Sequence, residues 1–341
     1  MTRMHAIAMA TVASACLISV SACGSTQSSS STGGKVTDVK SADIEALQPG
    51  VHPYIAANDI GLKAEAKKLG LTNLHITQSN YDPSQEVSNI NNAIAKGAKG
   101  IIVQPASSTG VLPSLKRAFA KNICVVALTT GPGTTTQKLY PGLKGFVGWN
   151  EYTNGEYMGR AMAKGMGGKG NVVIVQGVLD NNAAKDRQAG AEAVWKKDFP
   201  GIKVLDVQAA DFDSAKARSV MQNFIQRYGS KINGVLAITN NMATSAADAV
   251  YESSLRGKVT IVSTGGQGQF VNYIKSGKAY ATTPEVPVTE AKRAVDLLVD
   301  CMNGDRKPVF VNETELPTVK VFKSSGYVIT KANADQFKPE W

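Results

Sequence analysis

The stretch "SQEVSNINNAIAKGAKGIIVQP", Ser84 to Pro105, changes period partway along, and that change decides the fold. As far as Gly97 it has a helical pattern. From Gly100 to Gln104 it is a short apolar run closed by a polar residue and a proline, the mark of a strand buried on both faces. The same pairing occurs on either side: "GLKAEAKKLG" leads to "LHITQ", and "VLPSLKRAFAKN" to "CVVALTTG". After "GFVGWN" the rhythm restarts. "NGEYMGRAMAKGMGG" then leads to "NVVIVQG", "DRQAGAEAVWKKDFPG" to "IKVLDVQ", and "MATSAADAVYESSLRG" to "VTIVSTGG". Strands rich in Ile and Val that alternate with helices predict parallel sheets covered on both faces. Two such α/β units stand in tandem, as a chain of 341 residues allows. The first strand is the weak point: "KSADIEALQPGVHPYIAANDIG" is mixed, and "ADIEAL" is its best candidate.

One residue fits neither pattern. In "QAADFDSAKARSVMQNF" (Gln208–Phe224), Ala217, Val220, Met221, Phe224 and Ile225 form a helix face, and Asp213 is placed to cap it. Phe212 stands in the turn before the cap. It is either a hydrophobic staple on Ala217, a small partner, or a ring kept for something outside the helix.

The N-terminus has one early Arg, an apolar stretch from Ala6 to Val20, and small residues after it, so it reads as an export signal. "VSAC" ends at Cys23 like a bacterial lipobox, and Ser25–Gly34 reads as a flexible tether. The alternative is an ordinary cleaved signal with an accidental cysteine. With Cys16 in the signal and Cys23 as anchor, Cys124 and Cys301 remain, either as a disulfide or as two separate buried thiols. The net charge of +10 is spread over helical polar faces without an arginine-rich block, so nucleic acid is not expected as a partner.

Catalytic signals are thin. "GMGGKG" precedes its strand where a dinucleotide site would follow one, and "TTGPGTTT" lacks the lysine of a phosphate loop. His52 and His75 have no partner at metal-ligand spacing. Neither a metal, a cofactor nor an enzymatic activity is therefore expected. Polar residues instead recur where strands end: Gln104, Thr129, Thr130, Asn240, and Glu285 after "AYATTP". In doubly wound sheets, ligands bind beyond the carboxyl ends of strands, and such groups suit a hydroxyl-rich ligand.

These segments carry a family resemblance. "GNVVIVQGVLDNNAAKDRQAGAEAVW", "ADFDSAKARSVMQNFI", "INGVLAITNNMA" and "SGKAYATTPEVPVTEAKRAVDLLVDCMNGDRKP" resemble, in order, the periplasmic sugar-binding proteins of the ribose-binding type, which serve ABC importers. The likeness runs from about Pro53 to Phe322. It implies two doubly wound parallel-sheet α/β domains joined by a three-segment hinge, the type I periplasmic binding protein fold. The crossings would fall near Trp149–Asn150, Glu285–Val286 and Leu316–Thr318. The expected division is a signal at 1–22, a tether at 23–35, a first lobe of 36–149 with 286–317, and a second lobe of 150–285 with 318–341. The helix Val288–Asn303 would return to the first lobe, which favours pairing of Cys301 with Cys124.

By the same resemblance, Phe212 lies against one face of the sugar and Tyr54 matches a second aromatic on the other side. An aromatic face suits the apolar C–H face of a polyol. Arg187 matches an arginine that donates to ligand hydroxyls, Glu285 replaces a hinge glutamine, and Gln104 replaces an asparagine. As cleft residues, Phe212 and Arg187 should be replaceable with little loss of fold. Trp149 is expected either in the core or narrowing the pocket. The departures change the ligand. An Asp-Arg pair becomes Thr129-Thr130, an aspartate becomes Gly265, one asparagine becomes Thr239 beside Asn240, and another becomes His52. Hydrogen bonds to charged partners contribute about 1.5–3 kcal/mol each against about 1 for neutral ones, so losing this fork points to a different ligand. The expectation is a sugar alcohol or pentose-sized sugar, bound by a monomer that meets the membrane only through its lipid anchor. The protein would sit on the outer face of the cell membrane and pass its ligand to an ABC permease. A binding protein that signals to a membrane receptor is the alternative.

Overall fold

The computed structural model describes residues 35–341; the signal segment and Cys23 lie outside the described residues. The chain begins with β1 (Ile44–Gln48), α1 (Pro53–Leu69), β2 (Leu74–Gln78), α2 (Pro83–Lys96), β3 (Gly100–Val103), α3 (Leu112–Ala120), β4 (Cys124–Leu128) and β5 (Gly145–Gly148). A second run follows: α4 (Glu151–Met166), β6 (Lys169–Gln176), α5 (Asn182–Asp198), β7 (Gly201–Ala209), α6 (Ser214–Tyr228) and β8 (Gly234–Ala237). It continues with α7 (Asn240–Tyr251), β9 (Thr260–Gly265), α8 (Gly268–Ser276) and β10 (Ala281–Pro284). The chain then adds α9 (Pro287–Met302), β11 (Val309–Asn312) and β12 (Ile329–Thr330).

Local chemistry sets these boundaries. The opening stretch is the clearest case. Asp82 caps α2 by accepting from the amides of Ser84 (2.8 Å) and Gln85 (3.1 Å), Pro83 occupies the first turn, and Gly97 ends the helix at φ +84°. Then β3 is buried along its whole length.

Two six-stranded sheets result, in the orders β11-β5-β4-β3-β1-β2 and β12-β10-β9-β8-β6-β7. Every pairing is parallel except β10 with β12. The fold is thus two doubly wound α/β lobes, with "ADIEAL" contributing β1 near the middle of the first sheet. That strand reads as mixed because Glu45 is buried within it, paired with Lys96 at 3.3 Å. The chain passes between sheets after β5, after β10 and after β11, and α9 packs on the first sheet through Ala291, Ala294, Leu298 and Met302. Cys124 at the start of β4 and Cys301 in α9 are bonded, with Cα atoms 6.0 Å apart. Among the described residues no helix is long and apolar enough to cross a membrane.

Candidate functional site

The carboxyl ends of both sheets face one small cavity, as expected of a ligand site in this architecture. From the first lobe come Pro49 and His52 after β1, Tyr54 on α1, Tyr81 after β2, Gln104 after β3, and Thr129 and Thr130 after β4. The second lobe gives Asn181 and Arg187 at α5, Phe212 after β7, Thr239 and Asn241 after β8, and Trp341; Glu285 follows β10.

Phe212 is buried in the second lobe's core and also lines the cavity. A Cβ on Gly177 would meet its ring at 2.4 Å, so the absent side chain is what lets the ring lie flat there. The first lobe repeats the device. Asn80-Tyr81-Asp82 matches Asp211-Phe212-Asp213: in each, an aromatic precedes the helix-capping aspartate. Both aromatics hold left-handed backbone angles, φ +59° for Tyr81 and +61° for Phe212. Their rings come within 5.8 Å across the cleft, and His52 stacks on Tyr81 at 6.2 Å. Thr129, also on the cavity wall, has φ +58°. For bulky or branched residues such angles cost energy, and they persist where a site over-determines them. The tripeptide repeat was visible in the sequence and would have found Tyr81.

Arg187 sits in a buried polar cluster. Its Nε and Nη2 reach the two oxygens of Glu151 at 2.7 and 2.5 Å, Nη2 also reaches Glu285 at 2.5 Å, and Nη1 donates to the Ile238 carbonyl at 3.0 Å. Of the five N–H bonds of a guanidinium, four are committed and one remains for a ligand. Arg187 is 3% exposed and Phe212 8%, so both cavity-lining side chains are enclosed between the lobes. Removing the arginine would strand two buried carboxylates.

The carboxylates continue past Glu285. Tyr54 donates to Glu290 Oε2 at 2.5 Å and Thr129 to the same oxygen at 3.1 Å. Glu290 and Glu313 face each other within hydrogen-bond reach, both fully buried, and no other donor reaches Glu290 Oε1 or either Glu313 oxygen. Burial pushes Glu285 up to about 8 against the pull of Arg187. Burial and the facing Glu290 hold Glu313 well above the carboxylate range. A protonated Glu285 donates as well as accepts, as hydroxyls require. Gln104 accepts from Asn58 at 2.9 Å, and among the described residues no protein group takes its Nε2.

Two expected site residues lie outside the lining. Trp149 is 1% exposed in the second lobe's core, donating to the Pro284 carbonyl at 3.1 Å and packing edge-on against Tyr157 and Tyr327. It closes the crossing after β5 and does not narrow the pocket. Asn240 is wholly buried, accepting from the Gln267 amide (2.9 Å) and donating to Thr282 (3.0 Å). The cavity takes its neighbours Thr239 and Asn241, because successive residues at a helix start point in different directions. Tyr54, Gln104, Thr129, Arg187, Phe212 and Glu285 do line it. Among the described residues no group of His, Cys, Asp and Glu is placed to hold a metal ion.

Direct hydrogen bonds also join the two lobes. Asp180 accepts from Ser107 (2.5 Å) and Thr109 (2.8 Å), and Asp186 from the amide and hydroxyl of Thr136 (2.7 and 2.8 Å). Asn182 donates to the Gly133 carbonyl at 2.9 Å.

Known proteins share this fold. A periplasmic binding protein domain profile matches residues 47–306. A xylitol-binding protein from Mycolicibacterium smegmatis is 28% identical over 86% of this chain and 80% of its own. A ribose import binding protein from Haemophilus influenzae is also 28% identical, over 69% and 77%. An ABC transporter solute-binding protein from Mycobacterium smegmatis, solved with bound glycerol, superposes with a TM-score of 0.75 at 25% identity, covering 86% of this chain and 96% of that one. In sequence and in its paired parallel sheets, the chain belongs to the periplasmic binding proteins of type I.

Proposed function

We propose that the protein is the substrate-binding component of an ABC-type importer. It captures a small polyol, a sugar alcohol or pentose-sized sugar, between its lobes and delivers it to a membrane permease. It works outside the cytoplasm, tethered through acylated Cys23, with the crossings at Trp149–Asn150, Glu285–Val286 and Leu316–Thr318 as hinges between its lobes. The observation that carries this reading is the cavity itself: closed between two sets of strand ends, walled by aromatic rings, and furnished with mostly neutral hydrogen-bonding groups. The ligands named for the relatives, xylitol, ribose and glycerol, are of the same chemical class.

The geometry accounts for capture. Rings offer flat apolar faces to C–H groups, while Gln104, Thr130, Glu285 and the remaining Arg187 donor serve hydroxyls. A ligand touching both lobes stabilises only the closed form and draws the population there. The permease then recognises the closed pair of lobe surfaces.

A thermal-shift screen of alditols, pentoses, hexoses and amino acids on residues 35–341 tests the reading. A ligand at about one hundred times its Kd adds roughly 2.7 kcal/mol to stability. Small alditols or pentoses should raise the melting temperature; a response only to amino acids or to oligosaccharides would refute it.

A further inference from the structure

Strand β9 ends at Gly265 (φ +138°), and Gly266 (+69°) follows it. A Cβ on the first would meet the Trp341 ring at 2.8 Å, and one on the second would meet the Phe337 ring at 2.5 Å. The segment from Phe337 to Trp341 fills the slot those missing side chains leave. Phe337 is buried in the second lobe, edge-on to Phe322 at 5.8 Å. Trp341 donates its indole N–H to the Gly265 carbonyl at 2.9 Å, and its own carbonyl accepts from the Gly268 amide at 2.8 Å.

From there the segment reaches the other lobe. The cap residue of α9, Val286, has no side chain that can bond its first turn, and Glu340 supplies what is missing. The Glu340 carboxylate accepts from the Thr289 amide at 3.1 Å and hydroxyl at 2.5 Å. The Trp341 ring meets Tyr54 of α1 edge-on, with centroids 5.3 Å apart. Trp341 thus lines the cavity while bonded to one lobe and in contact with the other.

We propose that Trp341 is a specificity-determining wall of the cleft, which rests on the polyol reading above. Its only polar side-chain atom is committed to Gly265, so the ligand meets an apolar ring and no donor at that wall. A hydroxyl or hydroxymethyl group directed there would be crowded and left without a partner, which is unfavourable in a closed site. The wall therefore favours short polyols that present C–H groups to it and rejects larger rings.

The test uses residues 35–341 with Trp341→Ala and Trp341→Phe. Binding of a four-carbon alditol, a five-carbon alditol, D-ribose and D-glucose is measured by calorimetry and tryptophan fluorescence. Trp341→Ala should weaken the best small polyol about tenfold or more and narrow its advantage over glucose, by the loss of an aromatic contact. Trp341→Phe should restore the preference. The other two tryptophans, Trp149 and Trp195, are buried away from the cavity lining, so the ligand-induced fluorescence change should vanish in Trp341→Phe. Wild-type affinities across the panel in Trp341→Ala, or a persisting fluorescence change in Trp341→Phe, would overturn this proposal alone. A wild-type protein that binds none of the four would refute the polyol reading and this one with it.

Discussion

Stability should fall as pH rises from 6.5 to 8, the reverse of ordinary acid denaturation. The cause is the carboxyl cluster beneath the cleft. Glu285 is pushed up to about 8 by burial and Glu313 well above the ordinary carboxylate value of 4.5 by burial and the facing Glu290. Below 4.5 both folded and unfolded chains hold these protons. Above it the unfolded chain releases them and the folded one does not, so each rise in pH favours unfolding until the folded value is passed. One opposing group limits the window. Burial lowers His52 to about 4 from 6.5, so below 6.5 the unfolded imidazole gains a proton that the folded one refuses. Glu86, raised by burial to about 7, adds to the fall only in the lower part of the window. Between pH 6.5 and 8 the proton held by Glu285 costs up to about 2 kcal/mol, and the raised Glu313 and Glu290 steepen the fall. Glu313→Gln removes one of these titrating groups and keeps a neutral hydrogen-bonding partner for Glu290. The variant should fall less steeply over the same interval and be more stable than wild type at pH 8. Urea unfolding at half-unit pH steps measures both. A stability that is flat or rising over this window, or an identical slope in Glu313→Gln, would refute the protonation scheme.

Three further outcomes follow from particular contacts. Gly177→Ala places a methyl 2.4 Å from the Phe212 ring and should cost about tenfold in polyol affinity by loss of a stacked face; unchanged affinity by calorimetry would mean the ring carries no ligand. Cys301→Ser removes a bond spanning 177 residues of sequence. In the chain-entropy account such a loop is worth up to about 5 kcal/mol, so the melting temperature should drop strongly while affinity holds, the bond lying away from the cavity lining; an unchanged melt would show the bond is not formed. Asp186→Ala takes the acceptor from Thr136 between the lobes. Bonds to a charged acceptor contribute about 1.5–3 kcal/mol each, so affinity should fall tenfold or more, with a larger radius of gyration by X-ray scattering; the same affinity and radius would contradict a role in closure.

Much of the architecture could be read from the sequence because buried parallel strands leave short apolar runs, as in "GIIVQ", between helices with clear caps. The cavity floor was less legible. Phe212 stands out because it fits no helix face, whereas Tyr81, in the same turn of the other lobe, is marked chiefly by the left-handed backbone angle it shares with Phe212. Asn240 was mistaken for its neighbours by one position, since residue type at a strand end does not say which way a side chain turns. Arg187 was legible as a site residue, but its two glutamates come from α4 and from the crossing after β10, contacts that no local pattern reports. Trp341 was beyond reach for the same reason: nothing near it in sequence indicates that Gly265 leaves room for it.

The most direct measurement is a crystal structure of residues 35–341 grown with the polyol that gives the largest thermal shift. The expected density is a single small polyol in the cavity between the two sheets, against the Phe212 ring and within hydrogen-bond distance of Arg187. Density elsewhere on the molecule, with Phe212 and Arg187 both untouched, would contradict the account.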